Sequence, residues 1–167
     1  ERPAHAFHNT HEQRVRFGDT DAMGIVYYAN YLRFFEAGRA ELLRAADIPY
    51  HGFIEEHGVY LPVVESWVRH YAPARYDDDL QVLSWVHEVR AASFVVAHHI
   101  ARGDEILAAG GARLGCVSHE GRPRRLSLAD RRASESSADA VGVAPGPDPV
   151  GAISVQTRDS ESPDPIR

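Results

Sequence analysis

The sequence predicts an α+β fold in which one long helix lies across one antiparallel sheet. Two changes of pattern along the chain support this class. Apolar residues first recur at helical spacing in one segment, and they then recur at every second position in the segments that follow. A length of 167 residues, with 44% apolar and 25% charged side chains, is typical of one globular domain with appendages.

The first half of the predicted domain contains one strand and the helix. Residues 14–17 alternate polar and apolar side chains, which predicts a short strand. The helix is predicted over about 30–46, with Asn30 as its N-cap and with its end forced by Pro49. A second short turn is expected over 53–57. One face of the helix carries an apolar stripe formed by Tyr31, Phe34, Phe35, Gly38, Leu42 and Ala45.

The second half is predicted to be all strand. Four segments with a period of two are separated by turn residues, and they cover residues 59–71, 80–89, 93–101 and 105–117. In the last segment Cys116 falls on the apolar face, which predicts a buried thiol, and the mid-strand pair Gly110 and Gly111 indicates a close backbone approach. Because one helix cannot cover both faces and the edges of a five-stranded sheet, self-association is expected.

The two ends of the chain are predicted to lie outside the folded domain. Residues 134–167 contain five of the ten prolines, and they carry six acidic but only two basic side chains. Such a segment buries too little apolar surface to offset its ordering entropy, so a flexible acidic tail is expected. Residues 1–10 are expected to be a flexible N-terminal segment, which leaves 11–133 as the domain.

Composition also excludes several classes of partner. The formal net charge is −6, which opposes binding to a nucleic-acid backbone. No run approaches the roughly 20 apolar residues that would span a bilayer, and the first 13 residues lack the apolar core of a signal peptide. The single Cys116 cannot form an intramolecular disulfide, which fits a reducing compartment. A cytoplasmic protein with no membrane or nucleic-acid partner is expected.

The stretch that could carry chemistry lies between the first strand and the helix. Asp19 and Asp21 precede a helix N-terminus, where backbone N–H groups lack partners and the peptide dipoles amount to about half a positive charge. A carbonyl oxygen held on those N–H groups would be polarised, and an ionised aspartate beside it could attack the carbonyl or activate a water molecule. This arrangement favours acyl transfer. The alternative is that both aspartates only shape a turn and cap the helix.

Other uses of these residues fit the spacing less well. A calcium loop starting at Asp19 would place Met23 at the fifth position and Asn30 at the twelfth, where oxygen ligands including a glutamate are required. An aspartyl phosphotransferase would place Thr where Met23 stands. The ten histidines show no helical metal-ligand spacing, and no Gly-x-Ser-x-Gly elbow occurs.

Three short motifs carry a resemblance to a known family. Residues 16–31 are RFGDTDAMGIVYYANY, residues 35–39 are FEAGR, and residues 71–80 are YAPARYDDDL. Together they resemble the 4-hydroxybenzoyl-CoA thioesterase family of hotdog-fold acyl-CoA hydrolases, over roughly residues 12–126. The resemblance implies a sheet wrapped around the long helix, in homodimers that commonly pair into homotetramers.

The resemblance also implies a mechanism and a substrate. Asp21 would be the nucleophile or general base, and the backbone N–H near Tyr28 would hold the thioester carbonyl at a dimer interface. Asp19 fits a turn-forming role better. No metal or organic cofactor is implied, since CoA is part of the acyl-CoA or aroyl-CoA substrate. A noncatalytic acyl-CoA-binding protein of the same fold is the alternative.

The remaining candidate residues concern substrate binding. Many family members have His where this chain has Tyr28, while an aroyl-specific branch has Tyr, which makes aromatic substrates somewhat more favoured. Arg90 and Ser93 match a turn that contacts CoA phosphates in aroyl-specific members, and residues 122–125 form a second basic cluster. Glu65 is expected either in the acyl pocket or at an edge or interface. The full set of predicted substrate-binding residues is Gly24, Ile25, Val26, Asn30, Glu65, Arg90 and Ser93.

Overall fold

The structure is a computed structural model that describes residues 7–46 and 58–125. Its main feature is a five-stranded sheet with strand order β1-β4-β5-β6-β3, in which every neighbouring pair is antiparallel. The strands are β1 (His8–Arg14), β3 (Val63–His70), β4 (Asp79–Val89), β5 (Ser93–Arg102) and β6 (Glu105–Gly115), and one helix, α1 (Asn30–Ala45), packs on the sheet. Two short strands, β2 (Val59–Tyr60) and β7 (Val117–Ser118), form a separate antiparallel pair.

Helix α1 confirms the predicted helix, with two differences in detail. Five members of the apolar stripe are buried, but Ala45 is exposed and Leu43 is buried instead. The cap position is occupied by Ala29, without a side-chain cap hydrogen bond, so Asn30 is the first helical residue rather than the N-cap. The Asn30 side chain is used elsewhere in the site loop.

The first strand was placed wrongly by its alternation. It covers His8–Arg14 and pairs with β4 from His8 opposite Trp85 to Arg14 opposite Asp79, whereas Phe17–Asp19 form a 3₁₀ turn. The strand has no apolar residue in its sequence HNTHEQR, so a search for alternating apolar side chains cannot find it. It is the edge strand of the sheet and is held there by backbone hydrogen bonds with β4.

The predicted strands after the helix are confirmed, except that one of them is divided. Segment 59–71 contains β2 and β3, with Leu61 and Pro62 between them. Proline has no N–H to donate, which favours such an interruption. The other three predicted strands correspond to β4, β5 and β6 within two residues at each end, and the final position of the last segment, Val117, begins β7.

Small residues let the helix lie directly on the sheet. A Cβ atom at Gly38 would lie 2.5 Å from Ser84 Oγ and 2.7 Å from Val82 Cγ1. A Cβ atom at Gly110 would clash with the backbone oxygen of Trp67 and would lie 2.7 Å from Phe35 Cε2. Both contacts are closer than real Cβ atoms tolerate, so the predicted close approach at Gly110 is confirmed.

A buried histidine lies in the same contact layer. The His98 ring stacks on Phe35 at 4.7 Å between ring centroids, and its Nδ1 is 2.8 Å from Ser84 Oγ. Burial lowers the pKa of His98 to about 3, with further lowering by the charges of Arg39 and His99. His98 is therefore neutral at physiological pH and serves as a core residue.

The remaining predictions about the chain fall partly outside the described residues. The short turn at 53–57, the tail 134–167 and residues 1–6 of the N-terminal segment lie outside the described residues. Residues 8–10 of that segment belong to β1 and pair with β4, so the predicted start of the domain at residue 11 was too late. Cys116 is buried, as predicted. Within the described ranges, no helix combines the length and apolarity needed to cross a membrane.

Candidate active site

The loop between β1 and α1 is closed on itself by short backbone contacts. Val15 is buried and exchanges backbone hydrogen bonds with the turn before β4, at Asp77 and Asp78. The 3₁₀ turn Phe17–Asp19 follows, and an isolated antiparallel bridge then joins Thr20 to Val26. Gly24 has a φ of 73°, the left-handed conformation that glycine adopts without steric cost. The loop thus returns to the helix start as a compact hairpin-like unit.

Asp19 holds this loop together. Its side chain is buried, with Oδ2 accepting a hydrogen bond from the Arg16 amide at 2.9 Å and Oδ1 lying 3.5 Å from Arg33 Nη1. Its carbonyl oxygen accepts hydrogen bonds from the Tyr27 amide and from Asn30 Nδ2, both at 2.9 Å. Each oxygen of Asp19 therefore has a structural partner, which agrees with the predicted turn-forming role.

Asp21 is more open. Its side chain is only partly buried, and Oδ1 accepts a hydrogen bond from the Met23 amide at 2.8 Å. Its backbone N–H donates to the carbonyl of Ile25, and its backbone carbonyl accepts from the amide of Gly24, both at 2.9 Å. No group in the described part of the chain donates to Oδ2. The carboxylate is held in a defined orientation while one of its oxygens stays open to a ligand.

The helix start supplies an amide without an acceptor. The N–H groups of Asn30 and Tyr31 already donate to the carbonyls of Tyr27 and Tyr28, at 2.9 and 3.4 Å. Over residues 7–46 and 58–125, by contrast, no atom accepts a hydrogen bond from the Tyr28 amide. Tyr28 itself is 64% exposed. An open N–H at the positive end of a helix can bind the oxygen of a polarised carbonyl.

The side chains of Tyr27 and Tyr28 lie beside this amide. Their ring centroids are 4.6 Å apart. Hydrogen bonding with Tyr28 raises the pKa of Tyr27, and the negative charge of Asp21 acts in the same direction. The charge of Asp21 therefore acts on the Tyr27 hydroxyl.

The site loop is supported from outside by residues that the sequence analysis did not single out as part of the site. Val26 donates its amide to the Ala74 carbonyl at 2.8 Å, and Ile25 forms an isolated bridge with Arg75. The Ala74 amide donates in turn to the hydroxyl of Tyr31, a buried residue in the first turn of α1. Burial raises the pKa of Tyr31. The sequence motif at 71–80 contains these supporting residues, and the loop motif packs beside it. That motif was the signal that could have identified them.

The predicted site residues divide into two groups. Four of them belong to the same loop as Asp21, namely Gly24, Ile25, Val26 and Asn30. Of these, Val26 is buried, and the side-chain amide of Asn30 donates a hydrogen bond to the Asp19 carbonyl. Glu65, Arg90 and Ser93 do not lie there. The loop contacts the turn before β4, whereas Arg90 follows the last residue of β4. The 11 residues of β4 separate the two ends of this strand by roughly 33 Å.

The second group has structural partners at that far end. Arg90 Nε donates to Glu88 at 2.8 Å, and the Arg90 amide donates to the Ser93 carbonyl at 2.7 Å. Glu65 Oε2 lies 3.3 Å from Arg113 Nε. Because Ala112 and Leu114 are in the core under the helix, Arg113 between them lies on the opposite face of the sheet. The described part of the basic cluster, 122–125, follows β7 and is connected to it by the Val117–Pro123 bridge. Within one chain, none of these groups reaches the site loop.

Among the described residues no cluster of three or more His, Cys, Asp or Glu side chains could hold a metal ion. The site loop offers a carboxylate, an open amide and two tyrosine rings. These groups match the requirements of attack on a carbonyl carbon.

Comparison with known proteins places the chain in a family. The sequence pattern of the thioesterase-like superfamily matches residues 15–152. The chain belongs to this superfamily. The acyl-CoA thioester hydrolase YbgC of Escherichia coli is 35% identical over 94 residues, which are 56% of this chain and 69% of that protein. The 4-hydroxybenzoyl-CoA thioesterase of Pseudomonas sp. is 34% identical over 95 residues, 56% of this chain and 67% of that protein.

Solved structures confirm the fold. The structure of 4-hydroxybenzoyl-CoA thioesterase from Pseudomonas sp. matches with a TM-score of 0.71 and 25% identity, over 77% of this chain and 99% of that chain. A hypothetical protein, TT1821 of Thermus thermophilus, matches with a TM-score of 0.71 and 30% identity, over 77% and 96% of the two chains. The predicted family and the predicted hotdog fold, one helix on a five-stranded antiparallel sheet, are both confirmed.

Proposed function

We propose that this thioesterase-superfamily protein hydrolyses acyl-CoA thioesters, with Asp21 as the nucleophile or general base and the Tyr28 amide as the donor to the carbonyl oxygen. The general class, thioester hydrolase, follows from the family and from the names of its relatives. The mechanism is supported by one observation. A partly open carboxylate and an unoccupied amide at a helix start belong to the same closed loop.

The reaction needs little more than these two groups. In the general-base route, Asp21 takes a proton from a water molecule whose oxygen bonds to the thioester carbon. The carbonyl oxygen becomes negatively charged on the Tyr28 amide, the carbon–sulfur bond breaks, and the proton goes to the departing CoA thiolate. In the nucleophilic route the Asp21 carboxylate bonds to that carbon first, and water hydrolyses the resulting anhydride. The products are a carboxylic acid and free CoA in both routes.

Asp21 is suited to this role because of what surrounds it. The hydrogen bond from Met23 fixes one carboxylate oxygen without burying the group, so the other oxygen keeps its reactivity. Asp19, only two residues away, has every oxygen engaged and is 6% exposed. The two carboxylates are chemically equivalent, and the difference between their environments supports different roles for them.

The acyl group is proposed only as a class. Relatives include proteins named for 4-hydroxybenzoyl-CoA and for 1,4-dihydroxy-2-naphthoyl-CoA, and the E. coli relative is named for acyl-CoA in general. The exposed Tyr27 and Tyr28 rings, which belong to the same loop as Asp21, offer flat apolar surface to an aromatic acyl group. An aroyl-CoA is therefore the first substrate to assay, followed by aliphatic esters.

We further propose that the site is completed in a homodimer built on the β3 edge, which could pair into a tetramer. β3 is the last strand of the sheet, and exposed apolar side chains on it include Val63, Val64 and Trp67. Antiparallel pairing of two β3 edges would place the Val63 end of a second copy beside the His70 end of the first. Roles for Glu65, Arg90 and Ser93 in binding require such a second copy. The mass of the protein in solution tests the proposed homodimer. A cytoplasmic location stays a prediction.

The experiment is thiol release from a panel of CoA esters by wild-type protein and by Asp21→Asn. We expect Asp21→Asn to lower kcat by about 100-fold or more, because the amide cannot act as a base or as an effective nucleophile. Asp104→Asn, an exposed carboxylate in the turn between β5 and β6, is the matched control and should keep full activity. Equal activity of wild type and Asp21→Asn would remove Asp21 from the mechanism. Saturable CoA-ester binding without turnover in the wild type would favour the noncatalytic alternative.

A further inference from the structure

We propose that the buried hydroxyl of Tyr31 is a positioning group for the Tyr28 amide, the donor assigned to the thioester carbonyl. In this role Tyr31 acts through the backbone of Ala74 and touches no substrate atom. The inference rests on the proposed function, because it assigns a further residue to the part of that mechanism that binds the carbonyl oxygen.

Tyr31 carries its hydroxyl on a ring that the core holds in place. The residue is buried and belongs to the same core cluster as Phe34. Its ring centroid lies 6.1 Å from that of Phe34 and 4.6 Å from that of His70, which it meets edge to face. Burial raises the pKa of Tyr31, so the hydroxyl stays neutral at physiological pH. Its oxygen is therefore an acceptor at a fixed place beside the start of α1.

One buried backbone amide depends on this oxygen. The Ala74 N–H donates to the Tyr31 hydroxyl at 3.2 Å, and Ala74 is fully buried. No other group in the described part of the chain accepts a hydrogen bond from that amide. A buried N–H without an acceptor costs the free energy of a lost hydrogen bond, so the hydroxyl favours this position of Ala74.

The same residue also holds the site loop. The Ala74 carbonyl accepts a hydrogen bond from the amide of the buried residue Val26, at 2.8 Å. Val26 precedes Tyr28 by two residues, and Tyr31 follows Tyr28 by three. Ala74 thus joins the two ends of the stretch 26–31, which contains the open amide. Movement of either end would change the direction of the Tyr28 N–H.

The segment that carries Ala74, residues 71–75, is itself anchored, and we call it the bracing segment. The amides of its first two residues donate to the carbonyl of Leu107 in β6, at 2.8 and 3.2 Å. At its other end the Arg75 amide donates to Asp78 Oδ2 at 2.8 Å. Both ends of the bracing segment are therefore fixed, and the hydroxyl contact connects this support to the helix start.

The expected consequence for the reaction concerns its transition state. Negative charge develops on the carbonyl oxygen as the carbon is attacked, and an amide stabilises that charge only when its N–H points at the oxygen. A displacement of about 1 Å can lower the rate by about 100-fold. Loss of the Tyr31 hydroxyl should therefore lower kcat. KM should change little, because binding of the ground state depends less on this amide.

The kinetic test is Tyr31→Phe, which keeps the ring and removes the hydroxyl, assayed on the CoA ester that the wild type hydrolyses fastest. We expect kcat to be about tenfold lower, with KM within about twofold of the wild type. Tyr60→Phe, which removes an exposed hydroxyl in β2, is the matched control for the hydroxyl. Ile100→Val, in the core cluster of Tyr31, is the control for lost stability. Both controls should keep the wild-type kcat.

A spectroscopic measurement follows the amide directly. In Asp21→Asn protein, which should bind the ester and hydrolyse it only slowly, the infrared stretch of the bound thioester carbonyl reports its polarisation by the Tyr28 N–H. Adding Tyr31→Phe should shift this band toward the wavenumber of the free ester. Adding Ile100→Val should leave the band where it is. A merely structural role of Tyr31 would not move it.

The outcomes separate this inference from the proposed function. An unmoved carbonyl band, a wild-type kcat in Tyr31→Phe, an equal loss of kcat in Ile100→Val, or a raised KM with unchanged kcat would each overturn the inference and leave the hydrolase activity established. If Tyr31→Phe does not fold, amide exchange in the wild type replaces it. Strong protection of the Ala74 N–H would then support the contact, and exchange as fast as that of an exposed amide would overturn it. If the wild type hydrolyses none of the esters, the proposed function fails and the inference fails with it.

Discussion

Different interactions stabilise two regions of the molecule, the contact between α1 and the sheet and the site loop. Around Gly38 and Gly110 the chain is packed so closely that no Cβ atom fits; the neighbours are the Ser84 hydroxyl, the Val82 side chain, the Trp67 carbonyl and the buried Phe35 ring. In residues 18–26, by contrast, most side chains are at least partly exposed, and backbone hydrogen bonds together with Asp19 define the conformation. Close packing resists changes in volume, whereas the loop responds to changes in hydrogen bonding. Stability and activity should therefore respond to different substitutions.

The largest effect on stability is expected at Gly110. Gly110→Val would place side-chain atoms against the Trp67 backbone, which is paired with β6, and against the Phe35 ring, which is buried in the core. We expect a loss of about 3 kcal/mol or more in the free energy of unfolding, measured by urea denaturation. Gly18→Ala is the matched control, because a Cβ atom there meets nothing within 4 Å. A Gly110→Val protein as stable as the wild type would contradict the rigid contact.

An intermediate effect is expected at Asp19, which tests whether the loop depends on hydrogen bonds. Asp19→Asn weakens the interaction with Arg33 and the bond to the Arg16 amide inside a buried site, so we expect about 1–3 kcal/mol lower stability. The activity should fall as well, since Asp21 depends on this loop. In Asp21→Asn the stability should change by less than about 0.5 kcal/mol while the activity falls. If both variants lost activity with equal stability, the assigned division of roles between the two carboxylates would be wrong.

The most gradual effect, spread over several pH units, is a pH dependence of stability that comes from the core side of the comparison. His98 has a pKa of about 3 in the folded protein and an ordinary value near 6.5 when unfolded. Below pH 6.5 the unfolded chain binds more protons, so stability falls as the pH is lowered and the loss ends near pH 3. The slope from this residue is at most about 1.4 kcal/mol per pH unit.

The measurement is urea denaturation at several pH values between 7 and 4. His98→Gln should show a shallower slope than the wild type, whereas His87→Gln, an exposed position in β4, should keep the wild-type slope. Identical slopes for His98→Gln and the wild type would show that burial of His98 does not control the acid sensitivity.

Part of the site was predictable because its signals are local. The motif at 16–31 contains both aspartates, the left-handed Gly24 and the helix start within one short stretch, so these features could be found from neighbouring residues. The family resemblance also favoured Asp21 over Asp19 before the hydrogen bonds were known. The roles of Ala74 and Tyr31 were not predictable in the same way, because their contact links residues 43 positions apart.

By itself the sequence determined α1, the strands β4 to β6 and the family, since helical periodicity, alternation and motif spacing are properties of neighbouring residues. Only the tertiary structure decided where β1 lies, because a polar strand is recognised by its pairing with β4 and not by its own pattern. The tertiary structure also separated Arg90, Ser93 and Glu65 from Asp21. The reason is geometric. An antiparallel strand runs from one end of the sheet to the other, and the spacing of residues along the chain does not show which residues lie at the same end.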